Sequence, residues 1–156
     1  MLCGGRWQLY PGSRPDSHRY SGEIMKSVNE ELVTDVYGYW PTFHDAEIHS
    51  VAMRRNLKIG GTPELYVSIH VWETTIEIDE KGYYRKVKHN IVRLGFENIT
   101  DLELNGFNHQ NVIHSLDIAE TDKPDRGHYQ VEFSTSHGAE MMFRCATIVV
   151  CSVRPY

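Results

Sequence analysis

The chain carries one segment, His44-Asp45-Ala46-Glu47-Ile48-His49, whose side-chain types and spacing match a small metal site. On a β-strand, residues i, i+2 and i+4 point to the same face. Asp45, Glu47 and His49 would then offer two carboxylates and an imidazole to one divalent metal ion. Such an ion can activate a water molecule, so the segment leaves a small metal-dependent hydrolase open as an alternative function.

A simpler interpretation makes the same segment a structural turn. Asp45 would cap the turn after Phe43, His44 would bond to a backbone carbonyl, and Glu47 and His49 would form the solvent face of the next strand. No second cluster of carboxylates and histidines stands near in the sequence to complete a catalytic site. We favour this interpretation, which requires no metal ion, no cofactor and no catalytic residue. The turn consists of Trp40, Pro41, Phe43, His44 and Asp45.

Other catalytic patterns are weak or missing in the sequence. It contains no Gly-x-Ser-x-Gly motif, and Gly60-Gly61 lacks the lysine and the following helix of a phosphate-binding loop. Most of the nine histidines are scattered singly, which ordinary packing explains. The three cysteines, Cys3, Cys145 and Cys151, are an odd number without metal-like spacing, so we predict buried thiols. We therefore predict that the protein is not an enzyme.

Aromatic residues offer two further interpretations. Tyr39, Trp40 and Phe43 lie in one short loop, where they would form either an exposed binding anchor or a plug for the open end of the sheet. We favour the plug. A ligand-binding barrel remains open as a third class of function, and it would need a pocket lined by Trp72 and Tyr84.

Composition restricts the class of protein. A chain of 156 residues, 40% hydrophobic and 24% charged, suits one globular domain with a core. Its formal net charge of -5 argues against sequence-independent binding of nucleic acid, which needs clustered Lys and Arg. No apolar run approaches the roughly 18 residues of a membrane span, so we expect no membrane partner and a cytoplasmic location.

The N-terminal segment differs from the rest of the chain. Residues 1–24 are rich in Gly, Arg, Ser and Pro and show neither a helix nor a strand period, so we predict that they are disordered or non-native. Ser21-Gly22-Glu23-Ile24 precedes Met25, and codons for Gly-Glu can spell a ribosome-binding sequence. We hypothesise that translation begins at Met25, which leaves a single β domain over residues 25–156.

The hydrophobic pattern predicts one short helix followed by strands. Ser27 with Glu30 forms a capping box, and Gly38 stands where a left-handed residue would end the helix. From Ala46 onward, apolar residues alternate with polar ones in several segments bounded by turn residues, whereas residues 107–118 are ambiguous. Roughly six or seven strands result. We predict a mainly β (α+β) fold, with an antiparallel sheet curled as a sandwich or part-barrel and one short N-terminal helix.

The predicted strand over residues 65–78 has an irregular pattern. Its apolar residues change faces near Trp72, which a β-bulge or a bend at that point would explain. A group of acidic side chains follows the bulge, and on its own it would be a solvated edge. Against a basic partner, the same group would steer association and suppress incorrect pairs. The candidate partner-binding residues are Glu73, Glu77, Asp79 and Glu80.

Five segments spread along the chain together support a resemblance to a known protein family. They are Gly38-Tyr39-Trp40-Pro41-Thr42-Phe43-His44-Asp45-Ala46-Glu47-Ile48, Arg54-Arg55, Leu65-Tyr66-Val67-Ser68-Ile69, residues 92–107 and residues 138–145. From about Met25 to the C-terminus, the chain resembles the immunity protein 50 family of bacterial polymorphic-toxin systems. The resemblance implies a small, mostly β antidote encoded beside a toxin. It also implies a cognate toxin domain as protein partner and no reaction of its own.

Overall fold

The computed structural model describes residues 27–56, 60–122, 125 and 127–156. The predictions for residues 1–24, for a start at Met25 and for Cys3 lie outside the described residues. Within those ranges the chain forms one α-helix and eight β-strands. A mainly β, antiparallel fold with one short N-terminal helix is thereby confirmed.

The helix, α1, spans Glu31–Tyr37, and all strands follow it along the chain. They are β1 (Glu47–Arg55), β2 (Pro63–Ile78), β3 (Tyr84–Glu97), β4 (Thr100–Asn105), β5 (Val112–Glu120), β6 (Tyr129–His137), β7 (Glu140–Cys145) and β8 (Thr147–Pro155). Strand β5 lies in the stretch whose pattern is ambiguous, because register shifts on both sides of Ile113 interrupt its alternation. This strand brings the count above the predicted six or seven.

The eight strands form one sheet in the order β4-β7-β6-β5-β1-β2-β3-β8. Strands β3 and β4 are far apart in this order, although only Asn98 and Ile99 separate them in the chain. Two residues span only about 10 Å, so the sheet must fold over until its two ends meet. The result is a sandwich in which β4-β7-β6-β5 faces β1-β2-β3-β8. The edge strands β4 and β8 do not pair within the described chain, and the sheet stays open.

The core lies between these two layers. Leu65, Val67, Ile69 and Val71 alternate along β2 and are all buried, which confirms the predicted inner face of this strand. The register shifts by one residue between Val71 and Glu73, so an irregularity at Trp72 is confirmed. The extra residue lies on the partner strand β3, between Val87 and Asn90, and not on β2 itself. Inner-face residues of the other strands complete a single apolar cluster.

The start of the helix differs from its prediction. The N-cap is Glu30, without a side-chain cap, and the hydroxyl of Ser27 has no hydrogen-bond partner among the described residues. Val28 instead forms a parallel bridge to Val149, and Asn29 is left-handed with φ 62°. The backbone at these two positions is therefore not helical, so the capping box is wrong. Gly38 ends the helix with φ 83°, as predicted.

The two cysteines in the described part of the chain have opposite environments. Cys145 is buried, and this burial raises the pKa of its thiol to about 12. Cys151 is exposed, so the prediction of a buried thiol is wrong there. The reason is the alternation of β8, which turns Ile148 and Val150 into the core and leaves Cys151 on the outer face.

Candidate interaction surface

The three candidate metal ligands do not share a strand face. Asp45 precedes β1 in a left-handed turn conformation with φ 65°. His49 is the extra residue of a bulge between Ile48 and Ser50, so its spacing from Glu47 is not that of a regular strand. No group of three or more His, Cys, Asp or Glu in the described ranges is arranged to hold a metal ion. The chemistry predicted for Asp45, Glu47 and His49 therefore lacks its geometry.

The predicted turn residues lie between α1 and β1, at the edge of the core. Pro41 and Phe43 are buried, and the ring of Trp40 meets that of Phe43 edge-on at 5.6 Å. His44 and Asp45 are exposed, with 3.2 Å between Nδ1 of the imidazole and Oδ2 of the carboxylate. Apolar members of the turn thus pack inward while the polar pair faces solvent.

The end of β2 and the start of β3 project beyond the rest of the sheet. Strand β1 pairs with β2 only between Pro63 and His70, and β8 pairs with β3 only from Asn90 onward. The hairpin beyond these pairings, residues 73–88, is hereafter the arm. Helix α1 supports its base, because the hydroxyl of Tyr37 donates to the backbone oxygen of Lys88 at 3.0 Å.

All four predicted partner-binding residues lie on the arm, but they have different roles there. Glu73 pairs with Lys88 at 3.0 Å and Glu77 with Arg85 at 3.4 Å. Asp79 Oδ1 accepts hydrogen bonds from the backbone N–H groups of Lys81 and Tyr83, both at 2.9 Å, and so closes the tip. Glu80 forms no ion pair with any described residue. The arm also carries four basic residues, so its formal charge is zero: Lys81, Arg85, Lys86 and Lys88.

The arm also exposes large apolar side chains. Ile76 is 94% exposed and Ile78 is 64% exposed, and beside the tip Tyr83 and Tyr84 are 70% and 63% exposed. Isolated apolar side chains on a surface are ordinary, whereas several on one projecting hairpin mark a candidate contact site. A groove of about 260 Å³ lies at the base of the arm and is lined in part by Trp72. Tyr84 does not line this groove, so the groove is not the Trp72–Tyr84 pocket that a ligand-binding barrel would need.

A cluster of histidines on the outer face of the sheet was not predicted from the sequence. His70 stacks on Tyr156 with ring centroids 3.8 Å apart, and its Nε2 lies 3.0 Å from Nδ1 of His89. The ring of His49 meets those of His70 and Tyr156 edge-on, each at 5.5 Å. These residues come from β1, β2, β3 and the chain end after β8. Only the register of the strands brings these residues together. They are far apart in the chain and form no local motif that the sequence could reveal.

A family model for immunity protein 50 matches residues 29–156 of this chain. The chain belongs to the Immunity protein 50 family. This membership confirms the resemblance that extends from about Met25 to the C-terminus, over the matched residues. Searches of curated proteins and of solved structures gave no match. Within the described residues, no helix is long and apolar enough to cross a membrane.

Membership of the Immunity protein 50 family indicates an immunity role and a protein partner of the toxin class. The family also points away from an enzyme. The arm combines exposed apolar side chains with charged ones, a composition that suits a surface for contact with another protein.

Acidification is expected to destabilise this Immunity protein 50 member through His70. Burial, followed by the nearby imidazoles of His89 and His49, lowers the pKa of His70 below 6.5. As pH falls below about 6.5, the unfolded chain binds a proton that the folded chain resists, so the free energy of unfolding decreases. The decrease stops once the pH passes the folded pKa. The charged and titratable groups around His70 are His49, His89, Glu47, Lys86 and Tyr156.

Urea denaturation of the wild type and of His70→Gln, each at pH 7.5 and pH 5.5, measures this effect. The wild type should lose more stability on acidification than the variant, because glutamine does not titrate. His137→Gln, at an exposed position, serves as the matched control and should follow the wild type. Equal losses in the wild type and His70→Gln would show that His70 does not contribute.

Proposed function

We propose that this protein neutralises a cognate bacterial toxin domain by stoichiometric binding and that the arm is its contact surface. The observation that carries the proposal is the exposure of Ile76, Ile78, Tyr83 and Tyr84 on a projecting hairpin of an Immunity protein 50 family member. Aromatic and large aliphatic side chains supply much of the affinity in protein interfaces. We place this binding in the cytoplasm and in a single domain over residues 25–156, as the family resemblance implies.

Within this proposal, the four acidic residues of the arm contribute specificity. Glu77 and Glu80 are exposed and would meet basic groups of the partner directly. Glu73 and Asp79 would act by holding the shape of the arm, through Lys88 and through the tip backbone. Charged groups at the rim of an interface affect partner choice and association rate more than affinity.

Co-expression with the toxin-like C-terminal domain encoded next to this gene tests the proposal. We expect the cells to survive and the two proteins to co-purify as a one-to-one complex. Cell death together with no recoverable complex would contradict it.

Charge reversal on the arm then tests the contact surface. The variant Glu77→Lys/Glu80→Lys should weaken binding by about tenfold, which corresponds to about 1.4 kcal/mol. Glu132→Lys/Glu140→Lys places the same two charge reversals at exposed positions on β6 and β7, in the other layer, and serves as the control. Equal affinities for the two variants would place the contact surface elsewhere.

A further inference from the structure

We propose that the arm inserts into an apolar cleft of the toxin domain, with Ile76, Ile78 and Tyr84 as its anchors. This inference rests on the proposed function and specifies the partner surface. Ile78 and Tyr84 are opposite each other across the two strands of the arm. Directly opposite residues in an antiparallel pair have adjacent side chains, so these two form one apolar unit near the tip. Ile76 lies two positions before Ile78 on the same strand.

The shape of the arm favours a cleft over a flat partner. Residues 76–86 are exposed on both strands, and no described element packs on either face. A flat partner would cover one face and leave the other in water, whereas a cleft covers both. A two-stranded hairpin alone has marginal stability, so enclosure by the partner would also stabilise the arm itself.

The tip is already held in one conformation before binding. Asp79 accepts two backbone hydrogen bonds through Oδ1, and its N–H donates to the oxygen of Tyr83 at 2.8 Å. Gly82 has φ 85°, a left-handed conformation that glycine adopts without strain. A tip with these hydrogen bonds already formed loses less conformational entropy on binding than an open loop would, which favours insertion.

The charges of the arm favour a partner cleft with little net charge. Its four acidic and four basic residues balance, and two ion pairs lie within the arm itself. Attraction to a strongly charged cleft is therefore weak. A second copy of this chain is also a poor occupant, because two β3 edges paired about a twofold axis would oppose cationic side chains. These side chains are Arg85, Lys86 and Lys88.

Affinity measurements on the purified one-to-one complex test this inference. The variant Ile78→Ser/Tyr84→Ser should raise the Kd by about 100-fold or more, because it removes both members of the apolar unit. The matched control, Met53→Ser/Phe107→Ser, removes two exposed apolar side chains outside the arm and should change the Kd by less than about threefold. Raising NaCl from about 50 to 500 mM should raise the wild-type Kd by less than about tenfold, because salt screens only the rim contacts of Glu77 and Glu80 and not the apolar anchors.

The outcomes separate this inference from the function on which it rests. Rescue and complex formation by the wild type, with an unchanged Kd for the arm variant, would overturn the cleft while leaving the antidote function intact. If high salt strongly weakened binding of the wild type, the inference that the contact is mainly apolar would be overturned. Loss of a dimer of the free protein on arm substitution would make a second copy the occupant. If the wild type neither rescues nor binds, the antidote function fails and the cleft fails with it.

Discussion

Phe96→Ala is expected to lower the free energy of unfolding by about 3–5 kcal/mol. Phe96 lies on β3 and is fully buried. Its ring meets Phe143 of β7 at 4.9 Å and Phe133 of β6 at 6.2 Å, both edge-on, so it joins the two layers of the sandwich. Alanine would leave a cavity between the two layers. The layers cannot move together to fill it, because short connections such as Asn98-Ile99 fix their separation, so the lost contacts would not be replaced.

Urea denaturation followed by tryptophan fluorescence measures this loss. Phe107→Ala is the matched control, because Phe107 is 49% exposed in the loop before β5. We expect the control to lose less than about 1 kcal/mol. Similar losses for Phe96→Ala and Phe107→Ala would contradict the contact between the layers as the main support of the core.

Asn111→Ala is expected to cost about 3 kcal/mol, the second largest effect. The side chain of Asn111 is buried, and its Oδ1 accepts hydrogen bonds from the N–H groups of Asn108 at 3.0 Å and Ala139 at 3.1 Å. Its Nδ2 donates to the oxygens of Asn108 at 2.8 Å and Ile48 at 3.4 Å. One side chain therefore joins β1, the loop before β5 and the β6–β7 hairpin. Alanine would leave these backbone groups unsatisfied.

Two further variants distinguish hydrogen bonding from packing at this position. Asn111→Asp keeps the size and the acceptor but removes the donor, and it turns an anionic oxygen towards the carbonyls of Ile48 and Asn108. We expect it to be about as unstable as Asn111→Ala. Gln110→Ala, on the exposed neighbour, should stay within about 0.5 kcal/mol of the wild type. A stable Asn111→Asp would assign the effect to packing.

Asn111 also explains why the junction of the layers survives with so little sheet pairing. Within the described chain, β1 and β5 share one register pair, Glu47 with Val112. Backbone bonds from Ile48 to Asn111 and from Ile113 to Ala46 extend this junction, and the side chain of Asn111 reinforces it. These bonds keep β1 and β5 joined, and with them the two layers of the sandwich. The base of the arm lies in the layer that contains β1.

The sequence by itself determined the features that depend on residues close in the chain. Alternation along residues 65–71 predicted the inner face of β2, because neighbouring strand residues point to opposite faces. Gly38 predicted the end of α1, since glycine tolerates the left-handed conformation. The sequence also predicted the mainly β fold and the group of acidic residues within residues 73–80. It indicated the family through segments that lie within the residues matched by the family model.

Only the tertiary structure decided the features that depend on strand register and on pairing between distant segments. The left-handed turn at Asp45, before β1 begins, and a bulge at His49 removed the regular strand spacing of Asp45, Glu47 and His49. The bridge from Val28 to Val149 displaced the start of the helix. Pairing of β1, β2 and β3 assembled the histidine cluster, and the early end of β1 and β8 pairing left both outer edges of the arm unpaired and exposed. The physical reason is that one inserted residue moves every later side chain of a strand to the opposite face. Whether such a residue is inserted depends on pairing with the adjacent strands, which are distant in the sequence.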